Sequence, residues 1–337
     1  MGRMGQLHAD TISASSQATL VATADAHPRA REHSANRYRV PAFESLALLL
    51  EASLDAVIIA SNTPAHGEHI EACANAGVAI FVEKPSALSM EASEKALARV
   101  AAAGVPFQIG FQRRFDSRYR EMKRVISSGA IGTPVLFTGR GRDPDASSPE
   151  RWGIDQNGGL LLNCAIHDFD AARYLLGAEP TAVAASATTL VHHGLDRVGD
   201  FDVCSSTVFF GDDRLAITEW SRFATYGYDI QAEVIGTDGI VRLQGGNVLA
   251  VEVRGGRATA ASFFGQAYRA SLEGFMAAVQ DGTATSPGVD DARTALQVAL
   301  FARASAMAGG ARLPLPALAA LPLRGGSRPH SRSDVHR

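Results

Sequence analysis

The sequence of 337 residues contains only three cysteines, Cys73, Cys164 and Cys204. Their odd number and wide spacing exclude a disulfide framework and a Cys-x-x-Cys zinc site, so they are expected to be reduced and structural. A surplus of either charge is also lacking: 32 Lys and Arg stand against 35 Asp and Glu, for a formal net charge of −3. Domains that bind nucleic acid through an electrostatic footprint are usually strongly basic, and a polybasic membrane anchor needs a cationic cluster; neither class is supported. No apolar run approaches the ~18 residues of a membrane-spanning helix, and the opening MGRMGQLHAD has no apolar core of a signal peptide. The expectation is a soluble, cytoplasmic protein with no nucleic-acid and no membrane partner. His66 with His69, and His192 with His193, lie close in sequence, but no cysteine or carboxylate set completes them, so no metal is expected. Neither a GxSxG elbow nor a P-loop occurs.

What the chain does have is a 46% apolar content and enough length for two domains at roughly 100–200 residues each. Four short apolar runs, Ala18–Ala24, Asp55–Ser61, Val78–Val82 and Val105–Phe111, alternate with helical stretches such as Pro64–Ala76 and Ser89–Ala103. Nearly continuous apolar runs of this length suit strands buried on both faces of a parallel sheet, and the alternation is a βαβ rhythm. Residues 1–114 are therefore expected to form a doubly wound α/β domain of Rossmann type. Beyond it the rhythm changes. A helix near Tyr119–Ser128, a strand Pro134–Gly141, a polar loop Asp143–Asn157 and a helical segment Gly159–Leu176 precede five β-rich runs: Thr181–Val191, Val203–Phe210, Leu215–Ser221, Ile230–Ile235 and Ile240–Leu243. Strands in succession without helices predict a large, mainly antiparallel sheet, closed by helices near Gln266–Gln280 and Asp290–Ala308. Residues 115–320 thus read as an α+β domain, and 321–337 as a polar, disordered tail.

Two local patterns carry chemistry. Glu83-Lys84-Pro85 stands at the carboxyl end of an apolar strand, where open α/β sheets receive ligands, and a lysine there can polarise a substrate hydroxyl. Asn163 and His167 are four residues apart, on one face of a helix. A histidine so presented can act as a general base, because its unperturbed pKa is about 6.5. Tyr226 and Tyr228 alternate around Gly227, as on one face of a strand.

The order of these and other short motifs resembles one family. An N-terminal GRMG turn, an acid at Asp25, Ser61-Asn-Thr-Pro-Ala-His66, Glu83-Lys84-Pro85, Gly110-Phe-Gln-Arg113-Arg-Phe-Asp116 and a Gly-Gly-x7-His segment resemble the Gfo/Idh/MocA oxidoreductases over about residues 1–300. The segments Phe111–Tyr119 and Tyr226-Gly-Tyr-Asp-Ile-Gln look most like the myo-inositol 2-dehydrogenases among them. The resemblance implies an NAD-dependent dehydrogenase of a cyclic polyol or sugar hydroxyl, NADP not being excluded, working as a homo-oligomer, a dimer or tetramer packed through an open sheet face. It implies that Lys84 contacts the reacting hydroxyl and the nicotinamide ribose, and that His167 accepts the proton, with Asn163 beside it. Arg113 and Tyr228 would line the substrate pocket, with Tyr226 a neighbour. On the cofactor side, Gly2, Arg3, Met4 and Gly5 match the phosphate turn and Asp25 the acid on the adenosine ribose. Arg29 and Arg31 lie near that acid. Ser61, Asn62, Pro64, His66, Glu83 and Gln112 would border the nicotinamide.

Two departures from the family pattern stand out. The inositol enzymes usually carry an aspartate where this chain has Asn163, and an amide supplies no charge to an imidazolium. Only the second and third glycines of the Gly-x-Gly-x-x-Gly fingerprint, Gly2 and Gly5, are present, and no strand precedes them. The expectation is a sequence that starts after its first strand. The alternative reading is a non-catalytic sugar- or nucleotide-sensing homologue on the same fold.

Overall fold

The computed structural model describes residues 1–144, 154–243 and 263–318. Most of the predicted loop Asp143–Asn157 and the whole of the predicted tail lie outside them. In the first third the elements are α1 (Arg3–Ser13), β1 (Thr23–Ala24), α2 (Pro28–Tyr38), β2 (Ala42–Phe43), α3 (Leu46–Leu50), β3 (Ala56–Ile59), α4 (His66–Ala76), β4 (Ala79–Val82), α5 (Met90–Ala103) and β5 (Phe107–Ile109). The helix ends follow from local chemistry. The hydroxyls of Ser45 and Ser89 accept from the main-chain N–H groups of Leu48 and Ala92, capping α3 and α5. Gly104 closes α5 in the left-handed conformation at φ 67°. Strand β4 is buried along its whole length, as its unbroken apolar run requires.

The parallel sheet is in two pieces. Strands β3, β4 and β5 pair in that order, while β1 pairs only with β2. Thr23 and Asp25 donate their N–H groups to Pro41 and Phe43, so Ala24 between them turns its main-chain groups away from β2. The carbonyls of Asp55 and Ile59 accept from Ala79 and Glu83, so Ala56 and Ile58 likewise turn away from β4. Among the described residues no strand pairs with either of these edges. The run Ala18–Ala24 shrinks accordingly to two residues of strand, since a strand with one neighbour has half the ladder to hold it.

The rest of the chain comprises α6 (Ser117–Ser127), β6 (Pro134–Arg142), a single turn at Ile154–Asn157, a π-helical turn at Leu161–Ala165 and α7 (Ile166–Leu176). They are followed by β7 (Pro180–Thr188), β8 (Val203–Phe210), β9 (Leu215–Ser221), β10 (Asp229–Gly236), β11 (Ile240–Leu243), α8 (Gly265–Asp281), α9 (Val289–Met307) and β12 (Leu313–Pro314). The seven strands pair in the order β11-β10-β6-β9-β8-β7-β12, antiparallel throughout except for β6 with β9. Alternate residues, including Phe137, Ala216, Trp220 and Val208, are buried against the helices. Gly139 and Gly141 on β6 have to be glycine: added Cβ atoms would lie 2.5 Å from Asp168 and 2.2 Å from the Trp220 ring.

The end of the chain returns to the first sheet. Leu272, Phe275 and Met276 of α8 pack on Ala79 and Phe81 of β4. Gln108 donates its side-chain amide to the Ser271 carbonyl at 3.0 Å, and the Ile109 N–H donates to the Pro287 carbonyl at 3.0 Å. No helix among the described residues is long and apolar enough to cross a membrane.

Candidate active site

Strand β4 ends at Val82, and the following turn carries Lys84 toward the helix of the second half. Its Nζ donates to the main-chain carbonyl of Asn163 at 2.5 Å and to the side-chain oxygen Oδ1 at 2.9 Å. Burial pushes the Lys84 ammonium below its usual pKa, against the nearby Cys164 and Glu83. The neighbours of Lys84 are anchored separately. Glu83 Oε1 lies 2.7 Å from His8 Nε2 on α1, and the Pro85 carbonyl lies 2.7 Å from His66 Nδ1 on α4.

Asn163 sits where the helix is widened. Gly158 and Gly159 have φ of 80° and 79°, and the Leu160 N–H that follows donates to Asp200 Oδ1 at 2.7 Å. A Cβ on Gly159 would stand 2.5 Å from that carboxylate oxygen. The next five residues make the π-turn, a feature common at functional sites, so the plain four-residue helical spacing expected for Asn163 and His167 is modified at its first member. The wider turn lets Asn163 present main-chain and side-chain oxygens to the same ammonium. His167 opens α7, buried with its Nδ1 lacking a hydrogen-bond partner among the described residues, and its ring meets Phe111 edge-on at 6.2 Å. Burial, and then the charges of Lys84 and Arg113, hold this imidazole well below its ordinary pKa.

Next to it, Asp168 is fully buried and bridges two elements. Its Oδ1 accepts from Arg113 Nη1 at 2.6 Å and its Oδ2 from Trp220 Nε1 at 2.5 Å. The Arg113 guanidinium also donates to the Tyr119 hydroxyl at 3.3 Å and stands 5.8 Å from the ring centroids of Tyr119, Trp220 and Phe264. Its Nε and Nη2 have no partner among the described residues. Arg113 therefore lies beside His167, with hydrogen-bonding capacity left over. Tyr228 is buried against Phe263 and Phe264, at 5.6 and 6.3 Å between ring centroids. Tyr226 does not share a strand face with it: Gly227, at φ 129°, turns the chain before β10 begins, and Tyr226 is exposed. Gln112 is buried in a single 3-10 turn.

On the other side of the turn, Gly2 caps α1 and Arg3, Met4 and Gly5 form its first turn. Among the described residues no side chain caps this terminus and nothing lies within 4 Å of where a Gly2 Cβ would be, and its first turn holds no acid. Asp25 directly follows β1; its carboxylate accepts from the His27 N–H at 2.8 Å and from the Met1 amino group. Arg31 donates to the carbonyls of Asp25 and Ala26 at 2.9 and 2.8 Å. Arg29, Ser61, Asn62 and Pro64 are exposed, whereas His66 is buried in the Lys84 turn. Free N–H groups at an open helix terminus suit a phosphate, and an acid at the end of the next strand suits ribose hydroxyls, so these residues fit a dinucleotide.

Comparison with known proteins agrees with this arrangement. Residues 1–111 match the oxidoreductase family with an NAD-binding Rossmann fold, and residues 119–242 match the GFO/IDH/MocA C-terminal domain. The inositol 2-dehydrogenase of Rhizobium meliloti strain 1021 is 37% identical over 88% of this chain and 92% of its own. The chain belongs to the Gfo/Idh/MocA oxidoreductase family. Another relative, the scyllo-inositol 2-dehydrogenase (NAD(+)) of Bacillus subtilis strain 168, is 40% identical over 72% of this chain and 71% of its own. The crystal structure of scyllo-inositol dehydrogenase from Lactobacillus casei with bound NAD(H) and scyllo-inositol superposes with a TM-score of 0.86, at 28% identity, over 93% of this chain and 96% of that one.

Within this Gfo/Idh/MocA chain, several residues that shape the site gave no sign of it in sequence. His8 looks like any histidine on an amphipathic helix until Glu83 is found beside it, 75 residues away. Asp168 and Trp220 are 52 positions apart and meet only through the sheet. Arg114, next to Arg113, binds Asp170 of α7 at 2.6 Å and Asp291 of α9 at 2.8 Å, fastening both helices to the turn before α6.

Proposed function

We propose that the protein oxidises a ring hydroxyl of an inositol-like cyclic polyol, or of a related sugar, with NAD. Family membership makes it an NAD-dependent oxidoreductase acting on CH–OH groups. The observation that carries the finer reading is the meeting of Lys84 Nζ with both oxygens of Asn163, close to a buried His167. An imidazole kept well below its ordinary pKa is neutral across the neutral range and can take the hydroxyl proton. Lys84 supplies positive charge beside the oxygen as that proton leaves. Bound NAD supplies the hydride acceptor. Arg113, with unused donors, and Tyr228 line the substrate side, while Gly2 to Gly5 and Asp25 hold the dinucleotide. Residues 1–114 would thus furnish the cofactor side and 115–320 the substrate side.

Asp25 favours NAD, since a carboxylate repels a 2′-phosphate; Arg31, fixed beside it, brings positive charge near the same spot, so a panel with both cofactors is informative. We place the protein in the cytoplasm, where its three buried, unpaired thiols suit a reducing compartment. The open face of the large sheet supports a homo-oligomer, dimer or tetramer: Ile240, Ile235, Leu136, Leu215 and Phe209 are neighbours in register across it. The relatives compared are named as dehydrogenases, which lends nothing to a sensing role. The test is Lys84→Met: turnover of inositols is lost while the folded protein persists by circular dichroism. Retained turnover would overturn the assignment.

A further inference from the structure

Lys84 is a long, flexible side chain, and its ammonium is useful only where its main chain delivers it. Both residues flanking it in sequence are tied down by imidazoles from different helices. His8, on the buried side of α1, is 2% exposed; its Nε2 reaches Glu83 and its ring meets Phe81 edge-on at 5.2 Å. His66, at the start of α4, is 1% exposed; its Nδ1 reaches the Pro85 carbonyl at 2.7 Å and its Nε2 lies 3.1 Å from the Ser61 carbonyl. Of the two ring nitrogens of His66, Nδ1 makes the shorter contact and is the one that reaches the turn. The two braces therefore use different ring atoms, the ε nitrogen of His8 and the δ nitrogen of His66. They also come from different places: α1 begins at the cofactor turn Gly2–Gly5, and α4 follows the exposed segment Ser61–Pro64.

We propose that His8 and His66 are positioning residues for Lys84, bracing the Glu83–Pro85 turn from its two sides. The inference rests on the oxidoreductase reading, in which Lys84 touches the reacting hydroxyl. A packing role alone would depend on ring volume, whereas a bracing role depends on which nitrogen is supplied. The amide nitrogen of asparagine falls near the position of Nδ1 and that of glutamine near Nε2, so the substitutions can be crossed.

The matched variants His8→Gln and His66→Asn should keep most of the wild-type kcat. The crossed variants His8→Asn and His66→Gln, and the apolar His8→Phe and His66→Phe, should lose on the order of 10²-fold in kcat, the cost of misplacing a catalytic group by about 1 Å. NAD(H) affinity by fluorescence titration should change little in the His8 variants. A second readout needs no turnover: the chain has three lysines, Lys84, Lys95 and Lys123, so the acetylation rate of Lys84 can be followed by mass spectrometry. That rate should stay slow in the matched variants and rise in the crossed ones. If a phenylalanine variant fails to fold, the asparagine and glutamine pair, differing by one methylene, carries the comparison. Equal behaviour of matched and crossed variants, or full kcat with slow labelling in the phenylalanine variants, would overturn the proposal. A wild-type enzyme inert toward polyols, with labelling that still follows the nitrogen supplied, would overturn the functional reading and leave the braces standing.

Discussion

Restoring a carboxylate at Asn163 tests the electrostatics of the site directly. Among the described residues His167 has no negative partner of its own: Asp168 beside it is taken up by Arg113 and Trp220, and the charges acting on the imidazole are the cations Lys84 and Arg113. Side chains four apart on a regular helix lie about 6 Å from one another, which sets the scale across the π-turn that holds Asn163. At an effective dielectric of about 20–40, unit charges at that distance attract by about 1.4–2.8 kcal/mol. This corresponds to about 1–2 pKa units. A base must be unprotonated to act, so turnover is lost as pH falls through the His167 pKa. In the wild type that loss falls well below pH 6.5; in Asn163→Asp the acid limb of kcat/KM should move up by about 1–2 pH units. The Lys84 ammonium, 2.9 Å from the substituted oxygen, is stabilised by the same charge, so any alkaline limb from its deprotonation should move up as well. The assay is the pH profile of polyol oxidation with saturating NAD, paired with an NMR titration of the His167 ring in the protein without cofactor. An acid limb that stays in place, or moves down, would refute the account of why this imidazole is neutral.

Two further outcomes follow from buried charge. Asp168→Asn leaves the Arg113 guanidinium, 1% exposed, without its counter-charge, and should cost about 3–5 kcal/mol in chemical denaturation followed by tryptophan fluorescence; a loss well under 1 kcal/mol would count against it. His66 and His167 both have pKa values below those of the unfolded chain, because burial disfavours their charged forms. The unfolded state then binds protons first, and stability should fall as pH drops below about 6.5, with a slope of up to about 1.4 kcal/mol per pH unit for each group until its folded pKa is reached. Thermal melts across that range measure the slope, and His66→Asn should flatten it.

The parts of this structure legible in sequence are those where one segment decides its own state. The runs that become β3, β4 and β5 are apolar without interruption, and Ser89 announces the start of α5 as the cap that it is. That Lys84 follows a strand end and that His167 lies on a helix are local properties and legible, whereas the meeting of Lys84 with Asn163, 79 residues on, is not. What stayed hidden depends on partners distant in the chain. The run Ala18–Ala24 has strand composition but forms a ladder over two residues, because among the described residues only β2 pairs with it. Tyr226 and Tyr228 alternate like strand residues, yet a glycine with positive φ turns the chain between them. The sequence Thr-Gly-Arg-Gly-Arg on β6 gives no hint that its glycines make room for Trp220 and Asp168, which are brought there by another strand and a helix.

The return of the chain's end to its first sheet bears on how the protein is made. As it leaves the ribosome, the strand β4 is complete when residue 82 emerges, but the face formed by Ala79 and Phe81 has only early neighbours such as His8, Ile12 and Ala18 against it until Leu272, Phe275 and Met276 have been synthesised. Each of those large side chains contributes about 1.5–3 kcal/mol by its burial. The main-chain partner of Ile109 arrives later still, at Pro287. Multidomain chains usually complete their amino-terminal unit first. Here part of the cover of the amino-terminal sheet must wait for residues 272–276, so a nascent chain keeps some apolar surface on that face exposed through most of translation. A stop codon anywhere before residue 265 would remove α8 and with it the apolar side chains that complete the cover of the cofactor sheet.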